Sequence, residues 1–228
     1  MPLTDTTREQ LGQIIARYPR PRSALLPMLH LVQADEGYVT ADGIALCADM
    51  LELSRAEVSA VATFYSMYKR HPVGDYHVGV CTNTLCAVLG GDAIFAALKD
   101  HLGVGNDETT PDGRVTLEHV ECNAACDYAP VVMVNWEFFD NQTVESAKQL
   151  VDRLRDSEEV VSTRGPAVRS FREVERVLAG FPDGLAGEGP AAGPPSLVGL
   201  ELARERGDDV PDAPAPTAAQ PSTDEQEG

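Results

Sequence analysis

Residues 76–86 read Tyr76-His77-Val78-Gly79-Val80-Cys81-Thr82-Asn83-Thr84-Leu85-Cys86, an alternating apolar run that leads directly into a cysteine pair. The two-residue period of Tyr76, Val78 and Val80 predicts a β-strand, because successive side chains of a strand point to opposite faces. The first cysteine therefore lies where a strand ends and a loop begins.

A second cysteine pair follows a second alternating run, which begins at residues 115–117. Four residues separate Cys81 from Cys86, three separate Cys122 from Cys126, and thirty-five lie between the pairs. If the two strands lie side by side, both loops open at the same edge of one sheet. Thiolates are the soft ligands that iron–sulfur centres, zinc and copper(I) prefer, so the four cysteines are candidate ligands of one centre.

The segments around the cysteines predict one small α/β domain over residues 75–157. A helix follows the first pair, Pro111-Asp112-Gly113 predicts a turn, and Thr143 caps a last helix. Short apolar runs at 131–134 and 136–139 suit two strands that pair across a tight turn. The resulting β-α-β-β-α order is that of a thioredoxin-type domain.

Residues 1–74 are predicted to form a helical bundle. Thr6 and Glu9 have the spacing of a capping box, in which two side chains satisfy the backbone donors at the start of a helix. The same pattern at Ser54 and Glu57 predicts the start of a fourth helix. Two further helices are expected between them, from residue 23 to Gly37 and from residue 41 to Leu51.

Residues 158–228 are predicted to be a mostly disordered acidic tail. Gly, Pro and Ala dominate from Phe181 onward, and ten acidic residues against two basic ones follow from Asp183. Such a segment has too little apolar surface to offset the entropy lost on ordering. Residues 169–178 differ, since their pattern suits a short helix.

The charge balance argues against two classes of partner. Thirty-six Asp and Glu against eighteen Lys and Arg give a formal net charge of −18, so phosphate backbones and anionic lipid surfaces would repel the chain. No run approaches the roughly eighteen consecutive apolar residues of a membrane-spanning helix, and the polar start has no signal-peptide core. We expect a cytoplasmic protein with no nucleic acid partner and no direct membrane insertion.

The cysteine spacing by itself leaves more than one centre open. Structural zinc sites and thioredoxin-like redox disulfides typically place two residues between paired cysteines, and neither pair here has that spacing. A [2Fe-2S] cluster has two irons that each take two thiolates, which matches two separated pairs. Spacing favours the cluster and leaves a zinc-stabilised binding module and a redox-active disulfide as alternatives.

The residues around the cysteines resemble a known family. The resemblance rests on the cysteine spacing together with Ala62-Thr63-Phe64-Tyr65, Tyr76-His77-Val78, Val80-Cys81-Thr82, Thr109-Thr110-Pro111-Asp112-Gly113 and Ala129-Pro130-Val131-Val132. Over about residues 20–155 the chain is similar to the thioredoxin-like [2Fe-2S] subunits of the NADH-dehydrogenase module of bacterial complex I, the NADH:quinone oxidoreductase.

The resemblance implies a [2Fe-2S] cluster held by Cys81, Cys86, Cys122 and Cys126. It also implies a partner subunit that binds FMN and NADH and exchanges single electrons with the cluster, within the peripheral arm on the cytoplasmic face of the membrane. The chain itself has no Gly-rich dinucleotide loop and no Walker loop. Soluble NAD-linked hydrogenases and formate dehydrogenases contain related small subunits, and these are the alternative assignment.

Two residues of the second cysteine loop depart from the family pattern. Ala124 stands where the family commonly has glycine, and Asp127 places a negative charge beside Cys126. Both are expected to alter the potential of the cluster and not its type. Cys47 is expected to be a buried, inert thiol, and the five histidines show no ligand spacing.

Overall fold

The computed structural model describes residues 3–190 and 193–208. Residues 1–191 make up one unit of the chain and residues 192–228 a second unit. The elements are α1 (Asp5–Ile15), α2 (Leu25–Glu36), α3 (Ala41–Leu51), α4 (Arg55–Phe64), β1 (Tyr76–Cys81), α5 (Thr84–Val88), α6 (Gly91–Leu102), β2 (Glu108–Thr109), β3 (Val115–Val120), β4 (Val132–Val134), β5 (Glu137–Phe139), α7 (Val144–Arg155), α8 (Phe171–Leu178) and α9 (Pro194–Arg206).

Helices α1 to α4 form the predicted N-terminal block around a shared apolar core. The capping box of Ser54 and Glu57 is present at the start of α4, and α2 ends at Gly37 with a φ of 83°. The expected start of α1 at Thr6 is wrong, because Thr4 caps the helix by accepting a hydrogen bond from the Thr7 backbone N–H. Thr6 consequently lies inside the first turn.

Five strands form one sheet in the order β2-β3-β1-β4-β5. Strands β1 and β3 are parallel neighbours, with Cys81 opposite Val120. The expected adjacency of the two cysteine strands is therefore confirmed. The short strand β2 is absent from the sequence-based expectation; it pairs antiparallel with the amino half of β3.

The hairpin of β4 and β5 turns through two residues with positive φ. Asn135 has a φ of 46° and Trp136 a φ of 73°, the combination of a type I′ turn, which matches the twist of paired strands. The side chain of Asn135 also accepts a 2.8 Å hydrogen bond from the His77 backbone N–H. The turn is thus tied to the start of β1. Helices α6 and α7 cover the sheet core.

The boundary predicted after residue 157 differs from the structure. Residues 160–180 are packed onto the rest of the unit: Phe171 and Ala179 are buried, and α8 lies against α2. Few apolar residues mark this segment, but they fall on one face of α8, which is enough to dock a short helix. Helix α9 also lies in the segment expected to be disordered, although none of its residues is buried. The acidic finish at 223–227 lies outside the described residues.

A buried carboxylate links α8 to both the helical block and the sheet. Glu175 is fully buried, and its two oxygens lie 2.6 Å from His30 Nδ1 and 3.2 Å from Trp136 Nε1. A second link joins Lys69, which follows α4, to Glu118 of β3, whose carboxylate also lies 2.6 Å from His77 Nε2. Each buried charge therefore has a partner on another element, as burial of charge requires.

We expect Phe171→Ala to destabilise the protein by about 3–5 kcal/mol, because it removes a buried aromatic side chain that lies near His77 and leaves a cavity. Denaturant unfolding of the full chain measures the change. Leu197→Ala in α9 is the control, since this side chain is 40% exposed and its loss should change the free energy of unfolding by less than about 0.5 kcal/mol. Equal effects of the two substitutions would contradict a packed role for residues 160–180.

Candidate metal centre

The four candidate cysteines come from two loops that leave neighbouring parallel strands. Cys81 is the last residue of β1 and Cys86 lies in α5, whose first turn is capped by Asn83. Cys122 follows the end of β3, and Cys126 begins a short 3-10 helix, Cys126–Tyr128. Both loops open at the carboxyl end of the β1–β3 pair, where the parallel register places them side by side.

The sulfurs are arranged as two interacting pairs. The Cys81 and Cys86 thiols are hydrogen-bonded to each other, as are those of Cys122 and Cys126, and Cys126 is close enough to both members of the first pair to interact electrostatically. The first pair is buried, whereas the second is exposed to solvent. One side of the centre thus faces the protein interior and the other faces the surface.

Burial and crowding keep these thiols protonated in the absence of a cation. Burial raises the pKa of Cys86 to about 11, and the nearby Cys81 and Cys126 also act to raise it. The pKa of Cys126 is also raised, by desolvation and then by Cys122. Ferric ions among four such sulfurs would supply the positive charge that stabilises all four as thiolates, so the donor set fits an iron–sulfur cluster.

Pairing also distinguishes between kinds of metal site. Within the part of the chain that the structure describes, no three His, Cys, Asp or Glu side chains gather closely enough to hold a single metal ion. A structural zinc ion needs four ligands around one point, whereas each iron of a [2Fe-2S] cluster takes two thiolates. Two pairs of sulfurs match the second requirement.

Backbone donors and small residues shape the two loops. The Ala124 N–H lies 3.3 Å from the Cys122 sulfur, and the Val131 backbone hydrogen-bonds the Cys86 sulfur and lowers its pKa. Ala125 and Val131 are buried against Cys81 and Cys86. Backbone N–H groups aimed at sulfur stabilise the charge of a thiolate and raise the potential of a cluster that it binds.

The polar residues of the first loop form a contact between the two cysteine loops. The Asn83 side chain accepts a hydrogen bond from the Thr84 N–H at 2.9 Å and donates one to Glu121 at 3.1 Å. Asn83 therefore links the first cysteine loop to the residue that precedes Cys122.

Two residues at the site were missed by sequence reasoning. A Cβ on Gly91 would lie 2.4 Å from the Cys81 carbonyl oxygen, so glycine is what allows α6 to begin directly behind the first cysteine loop. Arg164, from the segment placed in the tail, forms an ion pair with Asp127 at 3.1 Å. The Gly90-Gly91 pair was a readable signal for the first; the second had none, because Arg164 lies thirty-seven positions after Asp127.

Ala124 adopts the left-handed backbone conformation. Its φ is 54°, which a residue with a Cβ adopts at a cost of roughly 1–2 kcal/mol. The departure from glycine noted in the sequence therefore has a structural consequence, namely strain in the middle of the second cysteine pair.

The remaining candidates lie away from the sulfurs. Cys47 is buried in the core of the helical block, and burial raises its pKa to about 12, which makes it an inert thiol. Among the described residues His77 is bound to Glu118, and exposed His119 stacks edge-on against Phe95. Trp136 anchors the β4–β5 turn to Glu175.

The fold and the four-thiol site define an electron-carrying class of protein. The family model for the thioredoxin-like [2Fe-2S] ferredoxin matches residues 11–155, and the chain belongs to this family, whose cofactor is a [2Fe-2S] cluster. The helical block from α1 onward lies inside the match, so the family comprises both the helices and the sheet.

Relatives with assigned names narrow the class further. Over 203 residues the chain is 62% identical to a Mycobacterium tuberculosis protein named as the subunit lettered E of NADH-quinone oxidoreductase, with 89% of this chain and 81% of the relative covered. Over 162 residues it is 35% identical to a protein of Rhizobium meliloti that carries the same name as the second of its kind, covering 71% and 96%.

A solved structure shares the fold at low sequence identity. An NAD+-reducing [NiFe]-hydrogenase in its H2-reduced state contains a chain that matches 58% of this chain and 22% of its own length, with a TM-score of 0.53 and 20% identity. At that identity the likeness is one of fold.

We expect Ala124→Gly to stabilise the protein by about 0.5–1 kcal/mol, because glycine removes the Cβ strain at positive φ and returns only part of that gain as chain entropy. Denaturant unfolding measures the change. Ala125→Gly is the matched control: Ala125 is buried at a φ of −107°, so its replacement should destabilise. Destabilisation by both substitutions would show that residue 124 is not strained.

Proposed function

We propose that this chain is the [2Fe-2S] electron-transfer subunit of an NADH:quinone oxidoreductase. The observation that carries the proposal is the convergence of two thiol pairs at one edge of the sheet, in a chain that is 62% identical over most of its length to relatives named as one subunit of that enzyme. The proposed ligands are Cys81, Cys86, Cys122 and Cys126. The bound cluster supplies reversible one-electron chemistry, and the chain supplies its position and potential.

The charges around the sulfurs set that potential. A cluster with four thiolate ligands and two sulfides has a formal charge of minus two when oxidised and minus three when reduced, so adjacent carboxylates disfavour reduction. Glu121 and Asp127 flank the second pair. The N–H of Ala124 and the backbone hydrogen bond from Val131 act in the opposite sense.

We assign the electron partner to a separate subunit that binds FMN and NADH. Electron exchange requires close approach, and the site offers an apolar surface on α5 beside Cys86. Leu85 is 43% exposed, Val88 78% and Leu89 52%. Three exposed aliphatic side chains next to a redox centre are characteristic of a surface that another protein covers. We call Leu85, Val88 and Leu89 the α5 surface.

The location that we propose is the peripheral arm of a membrane-bound complex, on the cytoplasmic face and among other arm subunits. Across residues 3–190 and 193–208, no helix is both long enough and apolar enough to span a bilayer. Attachment to the membrane is assigned to the partner subunits.

Replacing Cys86 or Cys122 by Ser should bleach or strongly alter the visible charge-transfer absorption of the purified protein. It should equally change the electron-spin signal of the dithionite-reduced protein, because one iron loses a thiolate. Cys47→Ser is the control and should leave both spectra unchanged, since Cys47 lies in the helical core. An unchanged spectrum in the Cys86 or Cys122 variant, or a colourless wild-type protein that contains zinc, would refute the ligand assignment.

Val88→Ser should weaken binding to the co-expressed flavoprotein subunit by about tenfold, or ~1.4 kcal/mol, because it removes an exposed apolar anchor from the α5 surface. Titration calorimetry with the purified partner measures the affinity, and the cluster spectrum should stay the same. Val161→Ser, at a residue that is 54% exposed on a different segment, is the control and should not change it. Equal affinities for all three proteins would place the partner elsewhere.

A further inference from the structure

Arg164 reaches the second cysteine loop from a segment far along the chain. Its Nη2 lies 3.1 Å from Asp127 Oδ1, next to Cys126, and its Nε lies 2.8 Å from Asp140 Oδ2, which follows β5. The guanidinium therefore bridges the loop that carries Cys126 and the outer hairpin of the sheet. It is 17% exposed, so its charge is screened by water only in part.

The same guanidinium is packed between two aromatic rings. It lies 4.7 Å from the ring centre of Tyr128, in the 3-10 helix of the second loop, and 5.5 Å from that of Phe138 in β5. Phe138 in turn packs against the apolar cluster that contains Cys81 and Cys86. Planar stacking and a forked donor geometry are properties that arginine has and lysine lacks.

The segment that carries Arg164 is itself held in place. The Thr163 N–H donates to the Phe138 carbonyl at 2.8 Å, and the Thr163 hydroxyl accepts from the Asp140 N–H at 3.0 Å. Residues 161 and 167 pair across the loop. A Cβ on Gly165 would lie 2.3 Å from Glu137 Oε2, so the chain beside Arg164 approaches the hairpin closely. Arg164 is thus oriented before any cluster binds.

Its charge matters because the surrounding loop is acidic. Asp127 would otherwise add a full negative charge beside a ligand of an already anionic cluster. Arginine keeps its proton throughout the working range of pH, so the Asp127–Arg164 pair is close to neutral as a unit.

We propose that Arg164 is a positioning residue for the [2Fe-2S] cluster. It holds the Cys126-Asp127-Tyr128 turn against β5 and raises the reduction potential of the cluster by cancelling the charge of Asp127. This inference rests on the proposed function, in that Cys126 must be a cluster ligand.

Redox titration of the full-length, cluster-loaded chain tests the electrostatic part. Arg164→Gln should make the potential more negative, so that the ratio of reduced to oxidised cluster at a fixed applied potential falls about tenfold, or ~59 mV for one electron. Asp127→Asn should shift the potential in the positive direction. The double variant, which restores the net charge, should return close to the wild-type potential.

Spectroscopy tests the positioning part. Arg164→Lys keeps the charge but loses the fork and the stacking, so its potential should stay near the wild-type value while the electron-spin signal broadens and the cluster is lost faster on heating. Arg155→Gln is the matched control. Arg155 binds Asp112 at 2.6 Å in the turn before β3, at the opposite edge of the sheet from the cysteines, and its removal should change neither readout.

The outcomes separate this inference from the function on which it rests. Cluster-loaded Arg164→Gln with the wild-type potential and spin signal would overturn the inference and leave the function intact. A shift of equal size in Arg155→Gln would also overturn it, since the effect would then be one of net charge. A Cys126→Ser protein with an unaltered spectrum would instead refute the ligand assignment.

Discussion

The parallel pairing of β1 with β3 is the constraint on which the rest of the site depends. Its register sets Cys81 opposite Val120, so the two loops that follow these strands begin at the same edge and at the same height. Parallel strands need a crossover connection, and here α5 and α6 provide it. The first loop must therefore turn sharply into a helix, which explains the glycine at position 91 directly behind Cys81.

The sulfur environment explains why two pairs suit a two-iron cluster. One pair is buried against apolar residues and the other is exposed, so the protein encloses one side of the site more fully than the other. The mutual influence on the pKa of these thiols shows that they repel one another as thiolates. Metal binding and deprotonation are consequently linked, as in other thiolate sites.

The segment after α7 joins the two halves of the first unit and reaches the metal centre. Helix α8 lies on α2 through Phe171 and Ala179, while Glu175 contacts His30 on one side and Trp136 on the other. Before α8, the same segment runs along β5 and places Arg164 at the second cysteine loop. The helical block, the sheet and the cluster loops are therefore mechanically connected by about twenty residues of low hydrophobicity.

Local patterns in the sequence determined the two cysteine strands, the β4–β5 hairpin, the capping box of α4, the end of α2 at Gly37, and the cysteines as candidate ligands. Each of these depends on neighbours within a few residues, through side-chain period, capping or turn chemistry. Only the tertiary structure decided that residues 160–180 pack onto the first unit, that Ala124 takes a positive φ, and that Arg164 pairs with Asp127. These features arise from contacts between residues far apart in the chain, or from the path that a loop must follow between fixed strands, and no local period records them.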